Sequence, residues 1–344
     1  MIKRLTTRLA VLLWALALAI VPLAGHAGAQ DATPAASPVA LPNATPVAGT
    51  GLEGATAWLL SQQRGDGSFP GFSGESDPGT TLDALVALVA ADQAGIDTGS
   101  ATDDAIAYLG SDDTARVYTE TGVGQAAKLV LGLIAAGQDP RDIGGVDPLA
   151  IVEQGQDGDS GIYGTGIFDH ALAIMALTSA GVEVPASAFA ALASTQAENG
   201  GWAFDASTDP ASADTNTTAL VVQALVASGS GDSELMEPAV AYLQSSITST
   251  GAVYAVNEGA IADANSTALV LQAMIVTEND NTATLENALT TYQGPSGAFF
   301  YQGSDPTDNL FSTVQAIPAL AGLALPVLPA GDALPSAGLW LAAA

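Results

Sequence analysis

Residues 214–225 read DTNTTALVVQAL, and residues 263–274 read DANSTALVLQAM. The two segments agree at Asp, Asn, Thr, Ala, Leu, Val, Gln and Ala, and they stand 49 residues apart. Each opens with residues that favour a helix start and continues as a run apolar on nearly every side, the pattern of a helix buried all round. Working outward from this pair, related segments end at Leu88 (TTLDALVAL), Leu133 (QAAKLVLGL), Leu177 (HALAIMAL) and Leu320 (STVQAIPAL). The six end points are 45, 44, 48, 49 and 46 residues apart, which predicts an array of one supersecondary unit.

Each unit holds a second segment upstream, at 52–63, 103–109, 148–154, 186–196, 237–245 and 282–293. Apolar residues recur there at three and four, so these are helices with one wet face. Six wet-faced and six dry helices predict two concentric rings. An open solenoid needs polar capping repeats at its ends, and no terminal repeat has that character. The expected fold is therefore all-α, an (α/α)6 toroid over residues 51–323.

The links between wet and dry helices carry QRGDGSF (63–69), QAENGGW (196–202) and QGPSGAF (293–299), all of the form Q-x-x-x-G-x-aromatic. Gly161-Ile162-Tyr163 and Gly251-Ala252-Val253-Tyr254 are looser relatives. The expected role is structural: Gln63, Gln196 and Gln293 satisfy backbone groups at helix ends, the glycine makes a tight turn, and the ring packs beneath it. The motif resembles the repeat of squalene cyclases and protein prenyltransferase β subunits, over residues 51–323, and that resemblance implies the same α/α toroid.

The flanks have a different composition. Residues 1–29 read as a secretory signal: Lys3, Arg4 and Arg8, an apolar run over 9–24, then Ala27, Gly28 and Ala29 at the expected cleavage positions. Export to the extracellular space follows, with no membrane insertion after cleavage. Residues 30–50, rich in Pro, Ala and Thr, read as a linker, and 324–344 as a disordered tail whose LPSAG (334–338) faintly resembles a wall-sorting signal. Cleavage removes three of the seven basic residues and no acid, so the net charge falls from −29 to −32. Such a surface repels nucleic acid and anionic membranes and tolerates a small neutral or cationic ligand. The chain has no cysteine, which excludes disulfides and thiolate chemistry, and nothing in the pattern requires more than a monomer.

Polar residues recur where the dry helices begin: Asp77, Asp169-His170, Asp214-Thr215-Asn216, Asp263-Ala264-Asn265 and Asp308-Asn309. Capping accounts for them one by one. In a closed ring they also converge on one end of the barrel, where helix N-termini line a mouth. The candidate ligand contacts are therefore Asp77, Asp169, His170, Asp214, Asn216, Asp263, Asn265 and Asp308. Tyr163, Phe168, Trp202, Phe204, Tyr254, Phe300 and Phe311 would supply aromatic walls. Asp157 and Asp159 form an acidic loop with oxygen donors suited to calcium, or simply a solvated turn.

The family resemblance sharpens the chemistry. Class II cyclases of this fold use D-x-D-D-T-A, whose middle Asp protonates the substrate. Here the segment from Asp214 places Asn216 and Thr217 at the two central positions, and the segment from Asp263 places Asn265 and Ser266 there. Asp214 and Asp263 are the candidate acids that remain for a terpene-cyclase-like enzyme. The Asp/Cys/His zinc site and basic patch of prenyltransferases have no counterpart. Asn309-Leu310-Phe311-Ser312-Thr313 is similar to motifs of the transcobalamin and intrinsic-factor carriers, which implies a cobalamin-type cargo as one possibility. The leading expectation is a non-catalytic binding module. The alternatives are a cyclase, a cobalamin-type carrier and a surface spacer.

Overall fold

A computed structural model describes residues 49–231 and 233–331 of the 344-residue chain. The predicted signal and nearly all of the linker, as well as residues 332–344 with the LPSAG stretch, lie outside the described residues.

Six inner helices are α2 (Pro78–Gln93), α5 (Val123–Ala135), α7 (Ile167–Ser179), α9 (Thr215–Ala227), α11 (Ala264–Val276) and α13 (Leu310–Leu320). Each packs on the next around the ring, and α13 packs on α2, so the ring is closed. Six outer helices alternate with them: α1 (Gly51–Gln62), α3 (Ala101–Leu109), α6 (Pro148–Glu153), α8 (Ala186–Thr195), α10 (Met236–Ser245) and α12 (Thr282–Thr290). Each outer helix covers the inner helix that precedes it, except that α1 covers α13 at the seam between the two ends of the described chain. The all-α toroid expected from the repeat period is the observed fold.

Two features fall outside the simple repeat. A short helix, α4 (Thr114–Thr119), replaces the Gln-Gly link of the second unit, and a two-residue hairpin, β1 (Ile247–Thr248) with β2 (Gly251–Ala252), replaces it in the fifth. No described helix is long and apolar enough to cross a membrane.

The links explain how the rings are held in register. The Nε2 of Gln63 donates to Gly67 O at 3.0 Å and to Ala101 O at 2.8 Å, at the start of the next outer helix. Gln196 does the same to Gly200 O and Leu235 O, and Gln293 to Gly297 O and Gly51 O. The last of these spans 242 residues and ties the seam. A fourth copy, hidden by one inserted residue, is Gln156, which donates to Gly161 O and Ser187 Oγ. Phe69, Trp202, Phe299 and Tyr163 are all buried beneath these turns.

Each buried link residue is then pinned to the inner helix that follows. Phe69 N, Trp202 N, Ala252 N and Phe299 N donate to the hydroxyls of Thr81, Thr218, Thr267 and Thr313. Those hydroxyls in turn donate to the cap carbonyl four residues back. In the third unit the same place is held by His170, whose Nδ1 accepts from Tyr163 N at 3.0 Å.

Residues 324–331 correct the expected start of the tail. The chain turns back beneath the ring, Val327 is buried, Leu325 N donates to Gln223 Oε1, and Gln93 Nε2 donates to Leu328 O. Pro326 and Pro329 punctuate a sealing strap there, so proline content alone does not mark that stretch as loose.

Candidate functional site

All six inner helices start from one end. Ile167 N donates to Phe204 O, Thr215 N to Tyr254 O and Ala264 N to Tyr301 O, so the third, fourth and fifth starts are tied to the loop of the following unit. Four starts are side-chain capped: Asp77, Asp214, Asp263 and Asn309 accept from the N–H three residues on, at 2.7, 2.8, 2.8 and 2.9 Å. Two of the expected starts shift in register. The third dry helix is capped by Gly166, and Asp169 lies in its first turn, accepting from Thr165 N and Oγ1. The sixth is capped by Asn309, while Asp308 accepts from Ser296 Oγ outside the helix.

Counting from each cap, the inner helices turn the second, sixth and ninth residues toward the axis. At about 1.5 Å per residue these form three layers, the first two about 6 Å apart and the last two about 4.5 Å. The sixth-residue layer holds Asp83, Lys128, Leu172, Leu220, Leu269 and Gln315, and the ninth holds Val86, Leu131, Gln272 and Pro318. Together with Phe72, Asp77, Gly79, Thr80, Phe168, Phe311 and Val314 nearer the mouth, they enclose an axial cavity of about 240 Å³. Leu325 of the sealing strap forms its floor. Phe72 stands on the loop before α2 and stacks on Phe311 at 3.8 Å between centroids.

Inside the cavity, Lys128 Nζ pairs with Asp83 Oδ1 at 2.7 Å. The Lys128 side chain is 12% exposed and that of Asp83 32%, to the cavity rather than to bulk water. Burial pushes the Asp83 carboxyl up, and the adjacent ammonium only partly offsets this.

The residues singled out from sequence divide clearly. Asp77, Phe168 and Phe311 line the cavity. Asn216 and Asn265 occupy the second-residue layer and are buried; Asn265 Oδ1 accepts from Ser312 Oγ, and neither amide atom of Asn216 has a hydrogen-bond partner among the described residues. Asp214 and Asp263 face their own helix starts, and burial raises both to about 6. Tyr163 and Trp202 lie under link turns, with Trp202 Nε1 donating to Leu192 O. Phe204 packs against Phe168, and Phe300 against Tyr292. Tyr254 contributes its carbonyl to the start of α9, and burial pushes its phenol up. Asp157 accepts from Asp159 N, Ser160 N and Ser160 Oγ, an exposed turn. Among the described residues no three His, Cys, Asp or Glu side chains gather as a metal site. The residues missed were Asp83, Lys128, Gln272 and Gln315, whose signal was a polar side chain in the middle of a helix otherwise apolar all round.

His170 is fully buried, 5.7 Å from the Tyr163 ring, with Nε2 3.0 Å from Ala188 O. It serves the link and not the cavity. Burial holds its imidazole down at about 4. Since the unfolded chain takes up that proton near 6.5, this residue's stabilisation is complete above 6.5 and is lost as the pH falls toward 4. His170→Thr installs the residue of the other links. Urea unfolding across this range is expected to show a shallower acid loss for the variant, with about 1–2 kcal/mol less stability at neutral pH. Parallel acid losses in the two proteins would exclude the imidazole as the cause.

No family model matches the sequence, and no curated protein is similar to it in sequence. Solved structures are similar in fold. The type II terpene cyclase MstE from Scytonema aligns with a TM-score of 0.57 at 16% identity, over 79% of this chain and 95% of that one. Haptocorrin in complex with Cbi aligns at 0.52 and 16%, over 83% and 69%. The GH76A α-1,6-mannanase of Salegentibacter aligns at 0.57 and 11%, over 80% and 98%. At these identities the likeness concerns architecture alone, and it places the chain among the α/α toroids.

Proposed function

We propose that this chain is an exported, non-catalytic binding protein that holds one small, largely apolar ligand on the axis of its toroid. The observation that carries this reading is the axial cavity, walled by Leu131, Leu172, Leu220 and Leu269 and open to solvent past Phe72, Phe168 and Phe311. Concave apolar space with a few convergent polar groups is the usual form of a small-molecule site. Among the fold neighbours, MstE is described with a geranylgeranyl dihydroxybenzoate substrate and haptocorrin with Cbi. An axial cavity of about 240 Å³ favours a ligand smaller than a corrinoid over a cobalamin-type cargo.

The cyclase reading requires an acid that faces the cavity. Asp214 and Asp263 are turned into their own helix starts, and Asp83 is held by Lys128. Conversion of an isoprenoid, abolished by Asp214→Asn, would restore that reading. A pure spacer has no use for a cavity on its axis.

The test is titration of the chain with an environment-sensitive naphthalene dye. One dye per chain is expected, with a Kd in the micromolar range, and Leu220→Trp, which fills the space, should abolish binding while leaving the protein folded. Undiminished binding to the Trp variant would move the dye to the surface and overturn the proposal.

A further inference from the structure

The cavity has two unlike faces. Around the ring, the contiguous helices α11, α13, α2 and α5 contribute Gln272, Gln315, Asp83 and Lys128. The opposite wall is Leu172, Leu220 and Leu269. Polar side chains on the axis of a core are costly unless something uses them, and a buried ion pair is by itself weak support for a fold. Gln272 is 2% exposed, and its Oε1 accepts no hydrogen bond from any described residue. The Oε1 of Gln315 on the next helix is in the same position. Two buried acceptors without donors therefore stand beside a closed ion pair.

We infer that the axial site selects a neutral apolar molecule bearing one or two hydrogen-bond-donating groups, an alcohol in the simplest case, over a carboxylate or an ammonium on the same skeleton. This rests on the binding function proposed above. The orphan oxygens of Gln272 and Gln315 are shut off from the cavity in this structure, and a turn of either lining amide would bring one within reach of a donor, which a hydroxyl supplies and a carboxylate does not. The Asp83–Lys128 pair is neutral as a unit. A carboxylate that reaches Lys128 meets Asp83 and leaves that trio with one negative charge in excess, beside Asp77 at the mouth. Among the described residues no second cation lines the cavity: Arg64 is tied to Ser76 Oγ and Gly74 O on the link before α2, Arg116 is paired with Asp113 and Glu120, and Arg141 with Asp147 and Glu153. An ammonium that reaches Asp83 meets Lys128 in turn. Asp77, the other acid of the lining, stands nearer the solvent and is engaged by Thr80 N and Oγ1. A hydroxyl fits without opening the pair, and the leucine wall takes the hydrocarbon body.

The experiment is displacement of the naphthalene dye from the full chain by decanol, decane, decanoate and decylamine. Decanol is expected to displace it at concentrations about tenfold below the acid and the amine. Gln272→Met with Gln315→Met, close in volume to the original side chains, should cut the advantage of decanol over decane about fivefold, read as the ratio of their displacing concentrations on each protein. Equal or tighter displacement by the acid or amine overturns the inference, as does an alcohol advantage unchanged in the Met variants. Binding of dye and decane with no preference for the alcohol overturns the inference while the binding function stands. A chain that binds neither dye nor any of the four overturns both.

Discussion

Gly297→Ala is expected to lower the unfolding free energy by about 3 kcal/mol or more, far beyond the ordinary cost of alanine at a positive φ. Gly297 has φ +94, and a Cβ there would sit on the backbone carbonyl of Gly54 in α1. Backbone cannot step aside as a side chain can, so the turn and the first helix must separate. That is the seam of the toroid, where Gln293 Nε2 donates to Gly51 O and Gly297 O. Gly181 is the control: its φ is +70 and nothing lies within 4 Å of a Cβ placed there, so Gly181→Ala carries only the conformational term, about 1–2 kcal/mol. Chemical denaturation of both variants gives the comparison. Hydrogen exchange should localise the difference to α1 and α13, which meet at the seam. Equal losses at the two positions would mean that the seam adjusts without strain.

The seam also shows what a reader of the sequence can and cannot reach. The Q-x-x-x-G-x-aromatic link was legible because local geometry fixes the spacing: the Gln must reach both its own turn and the next outer helix. Closure was legible from the absence of polar end repeats. Two link relations were hidden. Gln156 does the same work with one more residue before its glycine, and His170 replaces a threonine hydroxyl with an imidazole nitrogen in the same bond. Spacing rules do not see either substitution, because what persists is a hydrogen-bond position and not a residue type.

Asp77, Phe168 and Phe311 at the cavity's mouth were legible in the sequence, but the polar residues of its middle layers were not. The polar residues at the helix starts stood out by repetition, yet repetition is what a structural cap produces, and Asp214 and Asp263 are caps. The cavity is instead marked by differences between repeats. Six residues after the cap, the six inner helices carry Asp83, Lys128, Leu172, Leu220, Leu269 and Gln315 in turn. A position polar on three helices and leucine on three cannot be a fold requirement of the unit. Its meaning depends on which helices are neighbours, and the arc from α11 to α5 becomes continuous only when α13 closes on α2.

Lys128→Met is expected to destabilise the protein by about 2–3 kcal/mol at neutral pH, somewhat less than for a fully buried pair because the Asp83 side chain is 32% exposed. The loss has a pH signature. Burial already raises the Asp83 carboxyl in the folded protein, and removing the ammonium that partly offsets this raises it further. A carboxyl that holds its proton more tightly folded than unfolded contributes stability that is complete below the unfolded value of 3.8 and is lost as the pH rises through the folded one. The deficit of Lys128→Met relative to the parent should therefore be largest near neutrality and shrink in acid. A deficit of the same size in acid and at neutrality would mean that the lysine acts through its packing stem and not its charge. Asp83→Leu combined with Lys128→Leu removes both charges and matches the leucines across the axis, so it should be as stable as the parent or more so. If that double variant is as stable as the parent, the ring closes without the ion pair, and the pair is not a requirement of the fold. If it loses stability, the pair belongs to the fold.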